Sequence, residues 1–184
     1  MNAVVLVATA GGLVAALPAW LVRTGSRKQI VISAVMLIGL LVAGLVVLTG
    51  DGVGGWRESA RDVLLLLAGL LAIFGGGPLT TSVLALVDRG STPALSTQQA
   101  GEVLRGGALI GTLERGAIFA GLLAGWPEAM AVVLAIKGLA RYPELRGPDQ
   151  STMPVTPHAV VERFIIGTFV SVLWSVTCAS LLLS

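Results

Sequence analysis

Six nearly unbroken apolar runs fill most of the chain, at 3–22, 29–49, 63–87, 104–125, 127–142 and 158–182. Apolar residues within them are continuous and do not alternate, which favours helices over a barrel. A helix needs about 20 residues to cross a hydrocarbon core of about 30 Å. Five runs meet that requirement; the fifth, 127–142, is short and must tilt little or lie partly inside the protein. Only 12% of the 184 residues are charged and 55% are hydrophobic, whereas soluble domains carry about 25% charged residues. A soluble chain this short could not hide so much apolar surface. The fold expected is all-α, a polytopic transmembrane helical bundle of about six spans, in one integral membrane domain over residues 1–184. The 24 glycines suit close helix approach in lipid.

The N-terminal apolar run is followed, not preceded, by Arg23, Arg27 and Lys28. A secretory signal has the opposite order, so this run reads as a retained first span. Placing the first connection in the cytoplasm sets the remaining orientation. Arg23, Arg27, Lys28, Arg89, Arg105, Lys137, Arg141, Arg146 and Arg163 then fall on or near the inner side. Arg57 and Arg61 fall outside, and Arg115 lies within the membrane. The location expected is a bacterial cytoplasmic membrane, with both termini external. Trp20, Trp56, Trp126 and Tyr142 lie near span ends, as interfacial anchors do; Trp174 does not fit that pattern. In the connection at 91–103, Ser96 or Thr97 would cap a lead-in to the fourth span.

One cysteine, Cys178, and one histidine, His158, leave no disulfide and no cluster for zinc. No metal and no cofactor are expected. A net charge of +2, scattered along the chain, gives no footprint for nucleic acid. No paired acids suggest two metal ions, and no serine, histidine and acid set is evident. An enzyme is therefore the less favoured class.

The fourth span carries Glu114 and Arg115 side by side. Gly107, Gly111, Ala117, Gly121 and Gly125 share a helix face with Glu114. Small residues at that spacing let another helix approach, so Glu114 is expected to look into the bundle. It lies about ten residues, or roughly 15 Å, from the inner end. An ionisable group there costs at least ~2.5 kcal/mol without a partner. Lys137 in the fifth span sits at a similar depth, and a Glu114–Lys137 contact is expected. That contact reads either as a titrating or ligand-binding site or as an ion pair that sets helix register. Arg141 shares a face with Lys137 and lies nearer the headgroups; Pro143 is expected to end this helix.

In the sixth span, Glu162 and Arg163 enter near the inner face. Arg163, Gly167, Ser171 and Ser175 lie four apart as a small, polar stripe, read as helix packing or as a solute path. The third span holds "IFGGGPLTTS" at 73–82. Three glycines and a proline in mid-run are expected to break the helix at Gly75–Pro78. A second half starting at Pro78 would present free backbone N–H groups. Gly76, Gly77, Pro78, Thr80 and Thr81 are then candidates for an anion site of the kind seen in transporters; a packing kink is the alternative.

"IGTLERGAIF" at 110–119, "AIKGLARYPELR" at 135–146 and "ERFIIGTFVSVL" at 162–173 together resemble bacterial membrane proteins of the "domain of unknown function 3307" type. The resemblance covers roughly residues 98–182 and carries no activity with it. It singles out Glu114, Arg115, Lys137, Arg141, Glu144 and Glu162.

The function expected is a small transporter or an anionic-lipid-binding protein. Its site would involve Glu114, Arg115, Lys137, Arg141, Glu162 and Arg163, among spans three to six. The alternatives are a structural or regulatory subunit of a larger membrane complex and, third, an enzyme acting on a lipid-linked substrate. The partners expected are membrane lipids, an anionic small molecule or headgroup, and a second copy of the chain or another membrane protein.

Overall fold

The computed structural model describes residues 2–22, 25–50, 56–88, 107–146 and 157–183, and every regular element in them is a helix. The helices are α1 (Asn2–Ala19), α2 (Arg27–Thr49), α3 (Glu58–Asp88), α4 (Gly107–Leu123), α5 (Glu128–Arg146) and α6 (Pro157–Leu183). The cap expected at Ser96 or Thr97, together with Arg23, Arg89 and Arg105, lies outside the described residues. So do the side chains of Arg141, Tyr142, Glu144, Arg146 and His158.

Three of the six expected spans are long and apolar enough to cross a membrane: 27–49, 58–87 and 161–183. The other three fall short for identifiable reasons. Helix α1 is apolar, but its 18 residues rise only about 27 Å at 1.5 Å each. Helix α4 has 17 residues and carries Glu114 and Arg115. Helix α5 has 19 residues, among them Glu128, Lys137, Arg141, Glu144 and Arg146. It also runs through Pro143 to Arg146, so that proline does not end it.

The surface is inverted relative to a soluble bundle. Leu21, Val7, Val14, Leu48, Leu66, Leu139 and Phe169 are among many large apolar side chains left more than half exposed. Small residues, among them Thr9, Ala16, Ser33, Ala43, Ala68, Ala72, Ser175 and Ala179, share the interior with Met36, Leu40, Leu64, Leu71 and Leu181. Small residues at helix contacts allow the close backbone approach that packing in lipid favours.

Helix α3 is the hub and packs on α1, α2, α4 and α6. Its neighbours α2, α4 and α6 run antiparallel to it, as cross-helix contacts show. Gln29 near the start of α2 donates to Thr81 near the end of α3 (3.1 Å), and Ser33 and Ser82 share a bond of 2.9 Å. Trp174 late in α6 reaches Leu71 O, and Arg115 in α4 reaches Ile73 O. Helix α5 is peripheral and packs mainly on α4. The α4–α5 turn closes as a Schellman motif: Trp126 N donates to Gly121 O (2.9 Å) and Gly125 N to Leu122 O (3.1 Å). Gly125 takes the required positive φ of 72°. Pro127 and Glu128 then open α5, as their types favour. Gly121 lets that hairpin close tightly, since a Cβ there would meet Ala129 Cβ at 2.5 Å.

The break expected at Gly75–Pro78 is absent: α3 is continuous from Glu58 to Asp88 with Pro78 inside it. No helix N-terminus opens there, so the backbone anion site built on Gly76, Gly77, Pro78, Thr80 and Thr81 is not formed. The helix survives because its neighbours repair it. Pro78 has no N–H to give to Phe74 O, and the Trp20 indole donates to that carbonyl instead, at 2.8 Å. Re-satisfying a freed carbonyl with a side chain is how prolines are tolerated in hydrocarbon.

The three glycines serve a different purpose. A Cβ at Gly75 would lie 2.6 Å from the Trp174 ring, one at Gly76 2.5 Å from Arg115 Cδ, and one at Gly77 2.8 Å from the Trp20 ring. The glycines receive large side chains from four elements: Trp174 of α6 and Met36 of α2 at Gly75, Arg115 of α4 at Gly76, and Trp20 at the end of α1 at Gly77. Trp174, which fitted no interfacial role, is 2% exposed and donates to Leu71 O at 3.0 Å.

A Gly76→Val variant should therefore lose about 1–3 kcal/mol by overpacking, read as a lower unfolding midpoint in detergent. At Gly138, where a Cβ would meet nothing within 4 Å, alanine should be neutral or stabilising by up to about 1 kcal/mol.

Candidate functional site

The inward face of α4 is centred one residue from where the glycine pattern places it. Its buried residues are Arg115, Ile118, Phe119 and Gly121. Arg115 is only 4% exposed and points between α3 and α6. Its Nε donates to Ile73 O (2.9 Å), and its Nη1 donates to Ser171 Oγ (3.2 Å). Both partners are neutral. Nη2 is buried without a partner.

Glu114 lies about 100° round the helix from Arg115 and faces α5. The pairing expected of Glu114 and Lys137 is present: Lys137 Nζ donates to Glu114 Oε2. The side chains are 14% and 22% exposed respectively, so the pair is largely but not wholly sheltered. Helix α5 closes onto α4 at Gly121 and Ala129, on the same side as Glu114. Of that face of small residues, Gly121 packs on the hairpin partner α5 and Gly111 lies against Arg115, while Ala117 and Gly125 are exposed; the centre of the bundle belongs to Arg115.

A cavity of about 490 Å³ opens beside Arg115, and Lys137, Arg163, Thr80, Thr168 and Ser171 are among its lining residues. It lies where α1 and α3 end, where α2, α4 and α6 begin, and toward the end of α5. Three cationic residues therefore border one space. Of these, Lys137 is engaged with the Glu114 carboxylate.

Arg115, Lys137 and Arg163 are thus brought together, with Glu114 behind Lys137. Glu162 is not: its side chain is exposed, because it lies about 100° round α6 from Arg163. Gly77, Pro78, Thr80 and Thr81 do line the cavity, through a continuous helix. The polar stripe of α6 faces inward: Ser171 is 7% exposed and Ser175 is fully buried. Sequence reasoning missed Thr168, Trp20 and Trp174. Thr168 follows Gly167 of that stripe and could have been included as its flank. A tryptophan in mid-span was the available signal for Trp174. Nothing in the sequence tied Trp20 to Phe74.

No family model matches the chain, and no similar curated protein or solved structure is found. The chemistry of the site is read from its own geometry.

Glu114 and Lys137 should be energetically coupled. In a double-mutant cycle with Glu114→Gln and Lys137→Met, unfolding in detergent should return a coupling of about 1–3 kcal/mol. An additive cycle would mean that the pair contributes nothing specific.

Proposed function

We propose that the chain is a six-span membrane protein that binds an anionic group in the cavity beside Arg115. The observation that carries this reading is the state of that arginine. A guanidinium in a low-dielectric interior is costly unless charge or hydrogen bonds compensate it. Here a carbonyl and a hydroxyl engage two of its nitrogens, the third is unpartnered, and the unoccupied space lies beside it. An anion in that space gains a charge-assisted bond and neutralises the buried charge. Lys137 and Arg163 also border that space.

The short helices α1, α4 and α5 cross the membrane in this reading because they do so packed on others. Glu114 of α4 and Lys137 of α5 face one another, and Arg115 and Lys137 border the cavity, which lowers the cost of placing these charges in lipid. Glu114 holds Lys137 at the cavity's border, and whatever alters that contact alters the charge the cavity presents, whether in a transporter or in a lipid-binding protein.

Two measurements bear on this. Arg115→Lys keeps the charge but removes the η nitrogens, and saturable anion binding by purified protein should weaken tenfold or more; a wild type that binds no anion refutes the reading. Topology is checked separately by labelling introduced cysteines, with little background from fully buried Cys178. Leu21→Cys, at the α1–α2 end, should label from the cytoplasmic side of intact cells, and Ser59→Cys, at the opposite end, from outside.

A further inference from the structure

The unmet polar groups of the cavity narrow which anion it suits. Among the described residues, three buried side-chain atoms have no hydrogen-bond partner: Thr80 Oγ1, Arg115 Nη2 and Thr168 Oγ1. All three residues line the same cavity. For the threonines this is unusual. A helical threonine has a ready acceptor in the carbonyl one turn back. Thr9, Thr49, Thr81, Thr112 and Thr177 use it, donating to Val5, Leu45, Gly77, Leu109 and Leu173. Thr80 and Thr168 leave it unused, although burial makes an unmade bond costly.

Their positions converge on the guanidinium. Thr80 is one turn along α3 from Gly76, against which Arg115 packs. Thr168 is one turn along α6 from Ser171, which accepts from Arg115 Nη1. The two threonine-bearing turns face each other, since a Cβ at Gly167 would lie 3.5 Å from Thr80 Cγ2. Donors thus approach from three helices.

We infer that the cavity holds a tetrahedral phosphate group, free or carried by a lipid, with Arg115 Nη2 and the hydroxyls of Thr80 and Thr168 as its donors. This rests on the anion reading above and specifies it. A carboxylate has two oxygens in one plane and is best matched by a guanidinium fork. The Nε edge of that fork is already occupied by Ile73 O. A phosphate spreads its oxygens in three dimensions and suits single donors arriving from separate helices. Hydroxyls from α3 and α6 supply what a planar anion would leave unused.

The test uses the full chain in a phosphate-free maltoside detergent, titrated calorimetrically with inorganic phosphate and separately with acetate. Mass spectrometry of the purified protein records retained phosphatidylglycerol. Phosphate should bind more tightly than acetate. Thr80→Val with Thr168→Val should weaken phosphate at least tenfold while leaving acetate within about twofold. Thr80→Ser with Thr168→Ser keeps both hydroxyls and should restore phosphate binding, which separates lost donors from lost folding. If inorganic phosphate does not bind but phosphatidylglycerol is retained and the valine pair releases it, the group is lipid-borne and the inference stands. If acetate binds as tightly as phosphate, or the valine pair changes nothing while Arg115→Lys weakens both anions, the phosphate inference is overturned and the anion reading survives. If the wild type binds neither anion and retains no lipid, both are overturned.

Discussion

The docking of Arg115 onto α3 at Gly76 is the contact on which the rest of the arrangement depends. A guanidinium inside an apolar bundle must find acceptors without water, and helical carbonyls are mostly engaged along their own axis. A stretch of three glycines opens the side of α3 enough for an arginine to reach the Ile73 carbonyl. That approach brings α3 and α4 together and places Arg115 on the wall of the cavity. Ser171 on α6 completes the hold, so one side chain joins three helices.

The same glycine stretch organises the flanks. Trp174 and Trp20 lie against Gly75 and Gly77 and donate to Leu71 and Phe74. Indole N–H groups are suited to this task, with a large apolar ring to fill space and a single donor to satisfy. Pro78 contributes by freeing the carbonyl that Trp20 takes. A segment rich in helix breakers therefore remains helical, because the groups it leaves unsatisfied are met by the side chains its missing Cβ atoms admit.

Around this anchor the charges divide into two kinds. Glu114 and Lys137 answer each other on the α4–α5 side, within a hairpin closed by Gly121 and Gly125. Arg115 donates to neutral groups, with the Glu114 charge acting on it through space while bonded to Lys137. One pair is closed on itself and partly sheltered, and one buried cation has no carboxylate bonded to it among the described residues. That asymmetry is what the proposed anion site rests on, with Arg163, Thr80 and Thr168 also lining the cavity.

The amino-acid sequence determined the helical class and the depth match of Glu114 with Lys137. These follow from composition, run length and a rise of 1.5 Å per residue, all of which are local. It also marked Arg115, Arg163 and the glycine–proline segment as unusual. Only the tertiary structure decided what each unusual feature does. Whether "GGGP" breaks a helix depends on which side chains arrive to fill the gap, and Trp20, Arg115 and Trp174 come from 39 to 103 positions away along the chain. Glu114 and Arg115 are adjacent in sequence, so small-residue spacing alone could not say which of them faces the centre. That choice fell to α3, where the space opened at Gly76 and the carbonyl of Ile73 suit a long, flat cation better than a short carboxylate that can only accept.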